Sequence, residues 1–175
     1  MRILVAVATR HGATREIAEH LATSLGSALT GAGVAPEVEV RDVGLVASLD
    51  GFDAVVLGSA RYLGRWLEPA RKFAESFSDD LRGLPLWLFS SGPVGERPEP
   101  EDRAAIDDLV RRLGARQHRV FGGRIDRQAL RLPERLAVTA LPVTDGDFRD
   151  WPSIRAWGCE IGATLAAAAV AGSTS

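Results

Sequence analysis

Apolar and polar positions fall into blocks whose period switches along the chain. Ile3-Leu4-Val5-Ala6-Val7 is a continuous apolar run, which predicts a strand over residues 2–7 covered on both faces. Over residues 14–30 the period becomes helical, with Ile17, Leu21, Leu25 and Leu29 recurring every fourth residue until Gly31 and Gly33. Residues 36–41 alternate, Val38 and Val40 against charged neighbours, as on a sheet edge. Residues 54–58 are apolar on both faces and predict a central strand. A helix is predicted over 66–79 (Ala70, Phe73, Ala74, Phe77), a strand over 84–90, and a helix over 100–114 (Ile106, Leu109, Val110, Leu113). A fifth strand is predicted over 118–124. A last helix starts near Pro152 with Ile154, Trp157, Ile161 and Leu165 inward. This alternation predicts an α/β fold, a doubly wound parallel sheet with helices on both faces. No repeat, linker or second domain is visible, so residues 1–171 read as one domain and 172–175 as a loose tail.

Composition narrows the function classes. The 175-residue chain is 46% hydrophobic and carries a formal net charge of −2, so no bulk charge favours nucleic acid. Lys72 is the only lysine. One cysteine, Cys159, suits a reducing compartment and reads as core rather than reactive. No signal-peptide pattern precedes the first strand, and the alanine-rich end from Leu165 to Ala171 is too short to span a membrane. A cytoplasmic protein is expected.

The candidate chemistry lies in three loops that the predicted topology places beyond the carboxyl ends of the strands, where such sheets bind ligands. The first is Thr9-Arg10-His11-Gly12-Ala13-Thr14. Strand, short polar loop and helix make an anion socket of backbone N–H groups and helix dipole, to which Thr9 and Thr14 add hydroxyl donors. Gly12 lets the backbone turn and approach a phosphate closely. The loop has neither a Walker lysine nor G-x-G-x-x-G, so a single phosphomonoester, as on FMN, suits it better than a Mg-nucleotide or dinucleotide. The second loop, Ser59-Ala60-Arg61-Tyr62-Leu63-Gly64, ends at Trp66 and offers Tyr62 and Trp66 as flat surfaces for a flavin ring. The third, Ser91-Gly92-Pro93-Val94-Gly95 after Ser90, offers backbone donors among small residues. Each has a plainer reading: a polar turn without ligand, aromatic packing, a simple turn. His11 reads as solvated, His20 as a helix-surface residue without assigned role, and His118 as the start of strand five. No Ser-His-Asp, metal-ligand or paired-carboxylate arrangement is legible.

These segments resemble the flavodoxin family. Within it the chain is similar to the flavodoxin-like, menaquinone-dependent protoporphyrinogen oxidases. The resemblance rests on Thr9-Arg-His-Gly-Ala-Thr-Arg-Glu-Ile-Ala18, Gly58-Ser-Ala-Arg-Tyr62, Phe121-Gly-Gly-Arg124 and Gly146-Asp-Phe-Arg-Asp-Trp151, and it runs over about residues 2–166. It implies a five-stranded sheet in order 2-1-3-4-5 and one non-covalent FMN held by the three loops; a deazaflavin in its place stays open. Family members that carry single electrons usually have an acidic face and a third-loop tyrosine, whereas residues 90–102 here hold no aromatic. That departure favours an open flavin face and two-electron transfer between an organic donor, protoporphyrinogen-like by resemblance, and a quinone. A one-electron carrier and a non-redox phosphate-binding module are the alternatives. The branch also has an insertion after strand five. Here residues 125–150 set Leu130, Leu132, Leu136, Val138 and Leu141 beside Arg127, Arg131 and Arg135. They read as a cover over a sheet edge or as a weak peripheral membrane contact.

Overall fold

The computed structural model describes residues 1–62, 64–92, 100–125 and 146–172. β1 (Arg2–Ala8) is buried from Ile3 onward and leads into α1 (Ala13–Gly31). β2 (Glu37–Asp42) and a single 3-10 turn, Val43–Leu45, follow. β3 (Ala54–Tyr62) runs past its predicted end and folds back through β4 (Arg65–Trp66), which pairs with it antiparallel. The helix predicted over 66–79 is divided. Trp66 belongs to β4, and Pro69, whose missing N–H is harmless in a first turn, helps start α2 (Glu68–Ser76) at Glu68. Phe77 leaves the helical region at φ −107°, and α3 (Ser78–Arg82) begins afresh. β5 (Leu86–Gly92), α4 (Pro100–Leu113) and β6 (Gln117–Gly122) complete the alternation. β7 (Arg124–Ile125) and β8 (Gly146–Asp147) form a separate antiparallel pair, and α5 (Trp151–Gly172) closes the fold. Gly172, predicted to open the tail, is the last residue of α5.

The main sheet has the order β2-β1-β3-β5-β6, parallel throughout. Counting only its five long strands, this is the predicted 2-1-3-4-5. β1 lies second from the edge because its side chains feed both cores. Val5 and Val7 pack with Val56, Phe89 and Phe121 beneath α1 and α5, while Leu4 and Ala6 pack with Leu57 and Leu88 beneath α2, α3 and α4. β2 is an edge strand, as its alternation predicts. α5 lies tight on α1 at two glycines. A Cβ on Gly158 would stand 2.7 Å from the Leu21 carbonyl oxygen, and one on Gly162 2.8 Å from that of Leu25. α5 packs as predicted, with Ile154, Trp157, Ile161 and Leu165 buried in the core; it is also the one helix among the described residues that by length and composition alone could span a membrane. The expectations for the insertion fall on residues 126–145, outside the described residues; its two ends are joined by the β7–β8 pair.

Candidate functional site

The chain moves outward from β1 to β2, then returns past β1 to β3, so the switch point lies between β1 and β3. The β1–α1 loop opens at this point. Thr9 Oγ1 accepts the Gly12 N–H at 3.1 Å and folds the loop on itself. Gly12 stands at φ +84°, a left-handed conformation that disfavours other residues, and offers no side chain to cap α1. No side chain caps the first-turn N–H groups of α1. Arg10 and His11 are exposed, and Ala13 is the first helical residue.

Thr14 is only 2% exposed, and its hydroxyl meets that of Ser91 at 3.2 Å. This bond joins the first loop to the end of β5 across the intervening β3. Two hydroxyls sharing one hydrogen bond leave one O–H proton for a further acceptor, here in a site closed to water. The strand register brings the second loop alongside: Ala8 is opposite Ser59, Ser59 opposite Ser90, and Ala60 opposite Ser91. Tyr62, half-buried, has the Arg10 guanidinium over one face of its ring at 5.0 Å. The Ser59 hydroxyl is committed to the β3–β4 turn; it donates to the Ala60 carbonyl at 2.8 Å and accepts the Leu67 N–H at 3.0 Å. Arg61 Nε donates to the Gly64 carbonyl at 3.3 Å and steadies the same turn. Gly92 accepts the Gly123 N–H at 2.6 Å, which draws β5 to the β6–β7 corner. Of the loop residues singled out from sequence, Leu63, Pro93, Val94 and Gly95 lie outside the described residues.

Two clusters escaped the sequence reading. Trp66, considered as a ring surface, is 3% exposed on the α2 side of the sheet, where its indole N–H donates to Ser90 Oγ at 2.7 Å. Ser90 Oγ also lies 2.8 Å from His118 Nε2. Because the indole can only donate, the natural direction is Trp66 to Ser90 to an unprotonated Nε2. The general signal was present, since a buried tryptophan N–H needs an acceptor, but the partner lies on another strand. Burial of the His118 ring, with the Arg61 charge nearby, holds its pKa down to about 4, against a smaller opposite effect of Asp107.

A histidine whose pKa is lower folded than unfolded takes up its proton only in the unfolded chain between the two values. Stability is therefore unaffected above pH 6.5 and falls as pH drops from 6.5 towards about 4. The slope from this group is at most about 1.4 kcal/mol per pH unit. Urea melts of the parent and of His118→Gln at about pH 7 and about pH 5 measure it. The variant should lose part of the acid sensitivity, and an identical pH dependence rejects the assignment.

The second cluster is built on Arg149, whose side chain is 4% exposed. It forks onto Asp147 through Nε at 2.7 Å and Nη2 at 2.6 Å, and reaches Glu16 of α1 through Nη1 at 2.6 Å. The guanidinium lies 4.4 Å over the Trp151 ring, which itself stacks near His20 at 4.3 Å. His20, left without a role from sequence, thus packs at the α1–α5 contact. Cys159, read as core, is exposed, because the helix turns it past the edge of the α1 contact. Among the described residues no group of acidic, histidine or cysteine side chains could hold a metal.

Residues 4–150 match the flavodoxin domain family. Over 99 residues the chain is 28% identical to the protoporphyrinogen IX dehydrogenase (quinone) of Escherichia coli strain K12, a match covering 57% of this chain and 52% of that protein. The chain thus spans about half the length of the curated relatives it matches. In structure it is similar to an archaeal flavodoxin, at TM-score 0.60 and 17% identity over 94% of this chain and 99% of that one. It is similar also to flavodoxin 1 of Bacillus cereus, at TM-score 0.61 and 16% identity over 92% and 97%. The rubredoxin oxygen:oxidoreductase of Desulfovibrio gigas aligns at TM-score 0.62 and 11% identity over 97% of this chain and 37% of its own. A match running from β1 to the segment before α5, on the five-stranded parallel sheet described above, settles the family: the chain belongs to the flavodoxin domain family.

Proposed function

We propose that this protein binds FMN without a covalent bond and works as an electron-transfer flavodoxin. The observation that carries the reading is the meeting of Thr14 and Ser91 at an uncapped helix start. An orphan hydroxyl proton, out of water and beside first-turn N–H groups, is a cradle for a phosphomonoester. Thr9, Ala13 and Thr14 would hold the phosphate, with Gly12, its N–H already on Thr9, turning the loop. Tyr62, braced by Arg10 on one face, would flank the ring with the other. Bound there, FMN supplies reversible exchange of one or two electrons. The protein's part is to position the group and keep water from it. Membership of the flavodoxin family supports FMN, and the likeness to flavodoxins over nearly their whole length supports a carrier.

A second reading is a quinone-coupled, two-electron oxidoreductase acting on a protoporphyrinogen-like donor. It is favoured by the partial similarity to a quinone-dependent dehydrogenase and by the lack of an aromatic residue in positions 90–102. Redox titration of the FMN-loaded protein, with steady-state assay against a soluble quinone, separates the two. Two resolved one-electron steps and fast reduction of a protein partner fit the carrier. A single two-electron step with turnover that saturates in quinone fits the oxidoreductase. Failure to take up FMN at all would sink both.

A further inference from the structure

We infer that Arg149 is a positioning residue for the phosphate socket, acting on it through Glu16. The inference rests on the reading of the first loop as a phosphate site. Glu16 is the acidic residue in the first turn of α1. A carboxylate there suits the bare helix dipole but repels a phosphate dianion bound at the same end. Arg149 answers that charge. Its Nη1 donates to Glu16 Oε2 at 2.6 Å and lies 3.5 Å from the Ala13 carbonyl oxygen, so it engages the socket's own turn from the side.

The guanidinium side of this contact is buried, while its partners Glu16 and Asp147 are 46% and 42% exposed. The guanidinium is fixed by the two-point fork onto Asp147, which also accepts the Arg149 backbone N–H at 3.2 Å, and by the Trp151 ring beneath it. Asp147 is held below the usual carboxylate range chiefly by that fork, and Arg149 is raised in turn by Asp147 and Glu16. With the cation 4% exposed, solvent screens it little from the turn it touches. Arg149 and its β8 partner Asp147 lie in the segment that follows residues 126–145. The late segment therefore clasps the first loop. Removing the arginine leaves the Glu16 carboxylate uncompensated in the first turn beside the phosphate position.

The test compares FMN with riboflavin, which lacks the phosphate, by fluorescence titration of the full chain freed of flavin. Arg149→Gln should weaken FMN about tenfold and leave riboflavin nearly unchanged. Adding Glu16→Gln to that variant should recover most of the loss. Glu16→Gln alone should keep or raise the preference for FMN over riboflavin. Equal losses for the two ligands, or no recovery in the double variant, would mean that Arg149 only holds the fold together and would overturn the inference. If thermal melting shows that Arg149→Gln does not fold, Glu16→Gln alone decides, and a lowered FMN preference overturns it. A parent that binds FMN and riboflavin equally overturns the phosphate reading together with this one.

Discussion

Thr14→Ala weakens FMN binding by about tenfold to a hundredfold while the fold persists. The magnitude follows from one charge-assisted hydrogen bond to a dianion, roughly 1.5–3 kcal/mol in a site shielded from water. The Thr14 hydroxyl is buried, so no solvent replaces it, and its loss also strands the Ser91 hydroxyl, which is buried as well. The fold survives because Thr14 contributes no bulk to the core that alanine lacks beyond one methyl and one hydroxyl. Riboflavin, without the phosphate, should lose little. Isothermal titration of both ligands against parent and variant measures this. Unchanged FMN affinity removes the phosphate from the first loop.

Gly58→Ala destabilises the protein by about 3 kcal/mol or more, the upper range for overpacking a core. A Cβ at this position would overlap the Phe89 ring, 2.1 Å from both Cε1 and Cζ. The far end of the ring abuts the glycine, and the ring is enclosed by the core. Phe89 is fully buried, with Phe121 and Trp157 around it at centroid distances of 6.1 and 6.4 Å. Gly58 also precedes the loop that carries Tyr62, so the strain should reach the site. Urea denaturation measures the loss. Phe89→Leu in the same chain should return part of it, because the two changes share one volume and cannot be additive. Wild-type stability in Gly58→Ala would mean that the ring moves aside freely.

The site is legible in the sequence only where it is local. The β1–α1 loop could be read because its parts are contiguous: an apolar run, a glycine among hydroxyls, then a helical period. Structure places that glycine at φ +84° at the head of α1, as such a loop requires. The bond between Thr14 and Ser91 could not be read, because nothing in either segment names the other. The same holds for Trp66, Ser90 and His118, which come from three strands. Trp66 invited a flavin contact because it follows Tyr62 in a glycine-bearing loop. The β3–β4 turn instead buries it in the core beneath α2.

The sequence by itself determined the strand and helix alternation, the edge position of β2 and the central position of β3. Those are one-dimensional signals: residues covered on both faces must be apolar throughout, and residues covered on one must alternate. The glycine-bearing turn between β1 and α1 belongs to the same class. Only the tertiary structure decided where α2 begins, that α5 lies on α1 through two glycines, and that Arg149 is clasped between Asp147 and Glu16. An arginine between two aspartates in sequence has many neighbours to choose from. Burial against Trp151 at the α1–α5 contact, where an unpaired charge would be costly, leaves it with these.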